Sequence, residues 1–96
     1  MDKIHKIKLS KEFCDEVLNG NKTFEIRYND RGYQKGDFIK FIPVDGDSSL
    51  ATHWIHPIEN ALFEITYVIN SWGLKDGFVC LAIKLVNKNV NKKEYD

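Results

Sequence analysis

Gly20-Asn21-Lys22-Thr23-Phe24-Glu25-Ile26-Arg27-Tyr28-Asn29-Asp30-Arg31 is where one periodicity gives way to another. Upstream, Ser10 offers an N-cap, and Phe13 with Val17 and Cys14 with Leu18 are i,i+4 pairs on one helical face. This spacing predicts a helix over 11–19. Gly20 stops it, because glycine takes the left-handed conformation at little cost. From Thr23 to Tyr28 the period is two: Phe24, Ile26 and Tyr28 are expected on the core side of a strand, and Thr23, Glu25 and Arg27 on a polar side.

Working outward, Ile4–Leu9 alternates apolar and basic residues, which predicts a half-exposed strand with His5, Ile7 and Leu9 facing one way. Turns are expected at Asn29–Gly32 and Lys35–Asp37, with an apolar strand over Phe38–Ile42. Residues 43–60 carry Pro43, Pro57 and the polar cluster Asp45-Gly46-Asp47-Ser48-Ser49, so a long loop is expected, with a short strand near Thr52–Ile55. Ala61–Ile69 and Phe78–Val86 read as two further strands, the first presenting Phe63, Ile65, Tyr67 and Ile69 on one side. The polar residues 87–96 are expected to fray. The fold class is therefore α+β: a small β-barrel of five or six strands with one or two short peripheral helices, as a single domain over 1–86.

Composition agrees with one folded domain. With 43% hydrophobic and 12% aromatic residues in 96 positions, the chain has material for one core and not for two. No apolar run approaches the roughly 18 to 20 residues that span a bilayer. The N-terminus lacks the pattern of an export signal, so a cytoplasmic protein, not membrane-bound, is expected. Cys14 and Cys80 are too few for a disulfide framework and read as packing thiols. His53, His56 and Glu59 do not make a metal-ligand pattern, so neither metal nor cofactor is expected. Fourteen basic side chains balance fourteen acidic ones. The balance is uneven along the chain: residues 1–40 carry nine basic and seven acidic, residues 41–74 none and four, and residues 75–96 five and three. A polyanion would have to meet the face built by the first forty residues. Phosphate-cradling glycine loops, nucleophile elbows and paired-histidine zinc motifs are absent.

The pattern Gly20, Lys22, Glu25, Arg27 at a helix-to-strand junction resembles the signature of the ASCH domain, a branch of the PUA-like superfamily. The continuation Asn29-Asp30-Arg31 with Gly36-Asp37 is similar to a small phage and bacterial family of unknown function within it. The resemblance covers about residues 4–42 well. It implies a β-barrel with flanking helices and a cleft that binds RNA or a nucleotide-like ligand. Some bacterial ASCH proteins are amidohydrolases acting on N4-acetylcytidine. There the motif carries a catalytic lysine and a threonine nucleophile at the position held here by Glu25.

The residues support two readings of this motif. Glu25 and Arg27 project from the same strand face about 7 Å apart, so they can pair with each other or share a polar ligand. In the first case they fix a junction. In the second, Arg27 offers a bidentate donor to phosphate or a base edge and Glu25 accepts from a base amino group. Candidate ligand-binding residues are Gly20, Lys22, Glu25, Arg27, Asn29, Asp30, Arg31 and Tyr33, with Tyr33 expected exposed for stacking and Trp72 as a cleft wall. The leading expectation is a monomeric module binding RNA or a modified nucleoside. The alternatives are a small amide hydrolase using Lys22, Glu25 and Thr23, and a protein-binding phage or mobile-element accessory protein.

Overall fold

The computed structural model describes residues 3–46 and 50–90. Its elements in chain order are β1 (Ile4–Ser10), α1 (Lys11–Leu18), β2 (Phe24–Tyr28), β3 (Phe38–Asp45), β4 (Thr52–His53), a 3-10 turn (Pro57–Asn60), β5 (Leu62–Ile69) and β6 (Phe78–Asn87). One sheet runs β1-β3-β5-β6-β2, with β4 attached to β3. It curls into a half-barrel whose two end strands, β1 and β2, come from the first 28 residues. Of the polar tail expected at 87–96, Asn87 ends β6, and positions 91–96 lie outside the described residues.

The concave face holds the core. Ile7 and Leu9 of β1, Ile39 and Phe41 of β3, Phe63 and Ile65 of β5, and Val79, Leu81 and Ile83 of β6 are buried there, with Cys14 and Val17 of α1 closing over them. Phe41 and Phe63 meet edge to face, ring centroids 5.3 Å apart. Alternation puts His5, Ile7 and Leu9 on this side, as the pattern of β1 predicts.

Helix α1 ends as its glycine requires. Gly20 has φ +81°, its N–H donates to Val17 C=O at 3.2 Å, and Asn21 N–H donates to Glu16 C=O at 2.9 Å. These two bonds are the Schellman arrangement, which satisfies carbonyls left over at the helix end and turns the chain sharply into β2. At the opposite side, His56 fastens the 43–60 segment to α1. Its Nδ1 accepts from Ile58 N–H, so Nε2 carries the proton and donates to Asp15 at 2.7 Å.

Two expectations are corrected. In β2 the period of two holds but the sides are reversed: Glu25 is 3% exposed, whereas Phe24, Ile26 and Tyr28 are 44, 52 and 58% exposed. The cause is pairing. Glu25 lies opposite Leu81 and Arg27 opposite Val79, and since partners in register share a face, the buried face of β6 carries both charged residues inward. In β5 the register shifts between Ile65 and Tyr67, and this bulge turns Tyr67 and Ile69 outward while Phe63 and Ile65 stay in the core.

Candidate functional site

Among the described residues no backbone ladder closes the half-barrel between β1 and β2. Thr23 C=O accepts from Ile83 N–H at 3.0 Å and Asn29 N–H donates to Gly77 C=O at 2.8 Å, so the odd-numbered residues of β2 make the ladder to β6. The backbone groups of Phe24, Ile26 and Tyr28 therefore point the other way, toward β1. A cleft of about 520 Å³ fills this seam, lined on one side by Lys8, Leu9 and Ser10 of β1 and on the other by Phe24 to Arg27, with Phe13 and Lys22 at one flank and Val44, Gly46 and Ala51 at another.

Side chains manage the open edges. Lys22 Nζ donates to Phe24 C=O at 2.9 Å and to Glu25 Oε1 at 2.7 Å. Arg27 donates to Glu25 Oε2 through Nε at 3.0 Å and Nη2 at 2.9 Å, and Nη2 also reaches across the seam to Lys8 C=O. Glu25 is thus a buried acceptor whose two oxygens are each occupied by a cation. Burying a carboxylate alone costs several kcal/mol, on the order of the penalty per ion in real proteins, and two charge-assisted partners offset it. Lys22 and Arg27 keep 20 and 26% of their side-chain surface exposed on the cleft wall. The Lys22 ammonium also sits over the rings of Phe24 and Phe13, 4.7 and 5.1 Å from their centroids. With Lys8, the cleft presents three cations against one carboxylate. The bonds to Glu25 and Lys8 use Nε and Nη2 of Arg27.

Of the residues named from the sequence, Lys22, Glu25 and Arg27 come together, Glu25 pairing with both cations. The others are elsewhere. Gly20 and Thr23 line a separate hollow of about 210 Å³ with Phe63 and Ile83. Asn29 caps its own turn, accepting from Tyr33 N–H at 3.0 Å, and borders a third hollow beside Tyr28 and Gly77. Asp30 and Arg31 form an exposed pair at 4.0 Å that does not line the cleft. Tyr33, expected exposed, is 4% exposed, its ring against that of His5 at 4.7 Å between centroids. Burial raises its phenol pKa even though Arg27 and Arg31 pull the other way. Trp72 is 93% exposed with φ +62° and takes no part in the cleft wall.

Lys8 and Ser10 were missed, because nothing local in β1 tells that its outward face borders β2. A second buried ionic group, His5 Nε2 with Asp37 Oδ2 at 2.8 Å, was missed too. Burial would raise the Asp37 pKa, but bonds from His5, Lys3 N–H and Gln34 N–H, with the charge of His5, outweigh it and hold the carboxyl below its usual range. Cys14, under α1, is pushed up to about 11 by burial, with Asp15 and Glu25 adding to it, so its thiol stays protonated and inert. Among the described residues no group of three His, Cys, Asp or Glu is placed to hold a metal, and no helix is long and apolar enough to cross a membrane.

Comparison with known proteins yields a family model described as Domain of unknown function (DUF3850), which matches residues 4–83. An uncharacterized 12.9 kDa protein in the GpA 3'region of Escherichia phage P2 is 49% identical over 39 residues. That match covers 41% of this chain and only 36% of the phage protein.

Proposed function

Because the chain belongs to the DUF3850 family, whose description assigns no activity, the cleft itself has to supply a reading, and we propose that it binds single-stranded RNA or a nucleotide-like anion in the manner of a PUA-like, ASCH-type module. One observation carries this reading. A buried carboxylate holds a lysine and an arginine at fixed positions on a cleft wall, with the rings of Phe24 and Phe13 beside the ammonium. Phosphate needs pre-oriented donors, and a base needs an apolar plane next to them. Glu25 supplies the orientation, Arg27 and Lys22 the charge, Lys8 the opposite rim. An ordinary surface salt bridge would not bury its acid to 3%.

Three cations imply a shallow salt dependence, with a log-log slope near about −2 for a single strand. The test is a titration of short labelled RNA and of free nucleotides at two salt concentrations. Arg27→Lys keeps the charge and loses the planar fork, so it weakens binding more than Lys75→Ala, which does not line the cleft. Equal losses for the two variants, or none for Arg27→Lys, would refute the reading. A second reading, amide hydrolysis on a modified nucleoside, draws on the Ser10 hydroxyl, which shares the cleft with Lys22 whereas Thr23 does not. It predicts product from N4-acetylcytidine that disappears in Ser10→Ala.

A further inference from the structure

The reversal of β2 has an outer side as well as an inner one. Phe24, Ile26 and Tyr28 lie opposite Ala82, Cys80 and Phe78 of β6, and on the far side of β6 Tyr67 and Ile69 of β5 lie opposite Ala82 and Cys80. All these residues point away from the core. The result is an apolar field three strands wide, whose rows are Phe24-Ala82-Tyr67, Ile26-Cys80-Ile69 and Tyr28-Phe78. Tyr67 is 57% and Ile69 38% exposed, in addition to the β2 residues above.

We infer that this face packs against the same face of a second copy of the chain, forming a two-fold dimer. Three features favour a self-partner. The first is area. With each aromatic worth about 150 to 250 Å² when fully buried, the exposed parts of the field come to about 500 Å². A standard interface takes about 800 Å² per partner, of which about 60% is apolar, so the field supplies the apolar share of one side. The second is relief. Cys80 and Ala82 are the small residues of the β6 row, so the larger Phe78 of one copy has room over the other copy's β6. The third is symmetry of charge. Asp76 and Lys84, both exposed, lie four positions either side of Cys80, which is the centre of the field. A two-fold axis at Cys80 with antiparallel β6 strands brings Phe78 over the partner copy's small Ala82 side chain and Lys84 toward the opposite copy's acidic end, an isologous contact.

Phe24 and Ile26 belong to the cleft lining as well as to this face, so association is measured in the absence of any cleft ligand. Its test is sedimentation equilibrium of the full chain from micromolar to millimolar concentration. Wild type should pass from monomer to dimer, and Ile26→Glu, at an exposed position of the central row, should remain monomeric while melting as a two-state domain. Lys84→Asp alone should raise the dimer dissociation constant about tenfold or more, equivalent to about 1.4 kcal/mol. The combination of Lys84→Asp with Asp76→Lys should restore it. A wild type that stays monomeric at the highest concentration would assign the face to a different protein and overturn the proposal. A dimer indifferent to Ile26→Glu, or one that the charge exchange fails to restore, would overturn it equally.

Discussion

Glu25 is the residue on which the site depends, because its two oxygens set the positions of two cations that would otherwise repel each other across the cleft wall. Glu25→Gln keeps the shape but removes the charge, leaving Lys22 and Arg27 like-charged neighbours. Removing one partner from a fully buried pair costs about 3 to 5 kcal/mol. Since both cations retain access to the cleft, a loss of about 2 kcal/mol is expected in urea unfolding, with the midpoint lowered and the slope unchanged. A variant as stable as wild type would show that desolvation of the carboxylate cancels what its two cations contribute. Cys14 offers a contrast. It is also buried near Glu25, but its raised pKa and its weak bonds to Leu9 and Ser10 carbonyls make it packing material and not chemistry.

At the scale of elements, the helix stop and the parity of β1 were legible because each depends on neighbours in sequence. Gly20 at φ +81° is the clearest case. A Cβ added there meets nothing within 4 Å, so the cost of Gly20→Val is conformational only, about 1 to 2 kcal/mol from the left-handed backbone. The expected result is a melting temperature lowered by several degrees, and an unchanged one would show that Gly20 is retained for something other than the helix stop. The sides of β2 were not legible. Its alternation is as clear as that of β1, but which side is inner is decided by β6, whose two faces are both apolar: Val79, Leu81 and Ile83 within, Phe78, Cys80 and Ala82 without. A strand of that composition gives its partner no sequence-level instruction. The bulge at Thr66 hid the outward turn of Tyr67 and Ile69, since Phe63, Ile65, Tyr67 and Ile69 keep one phase across it and, beyond it, Val68, opposite Leu81, is the single apolar residue of β5 out of phase. Tyr33 was misread for a simpler reason: the turn that carries it folds back over His5.

For the molecule as a whole, stability should follow Asp37 in acid. This carboxyl joins the beginning of β3 to His5 of β1 and to the backbone at Lys3 and Gln34. Its pKa is depressed in the folded state, so its contribution is present above the unfolded value near 3.8 and is lost as pH falls through the lower folded value. Thermal melts across that window should show a loss that Asp37→Asn removes from the pH dependence, the variant being less stable at neutral pH and flatter in acid. A wild-type profile shared by the variant would place the acid sensitivity elsewhere.

The order of strands in the sheet also has a temporal side. Both ends of the half-barrel are synthesised first and its middle last: β2 leaves the ribosome long before Leu81 and Val79, the residues that will choose its inner face. Until β6 arrives, its buried face cannot select the inner side of β2, and the chain carries Glu25 and Arg27 uncommitted until Val79 and Leu81 emerge. Pairings this distant in sequence are slow to find, because the loop must close before any contact rewards it. Assembly of the cleft accordingly waits for β6, and a ribosome stalled before residue 79 holds a polypeptide that already contains every ionic residue of the site but lacks the strand that orients them.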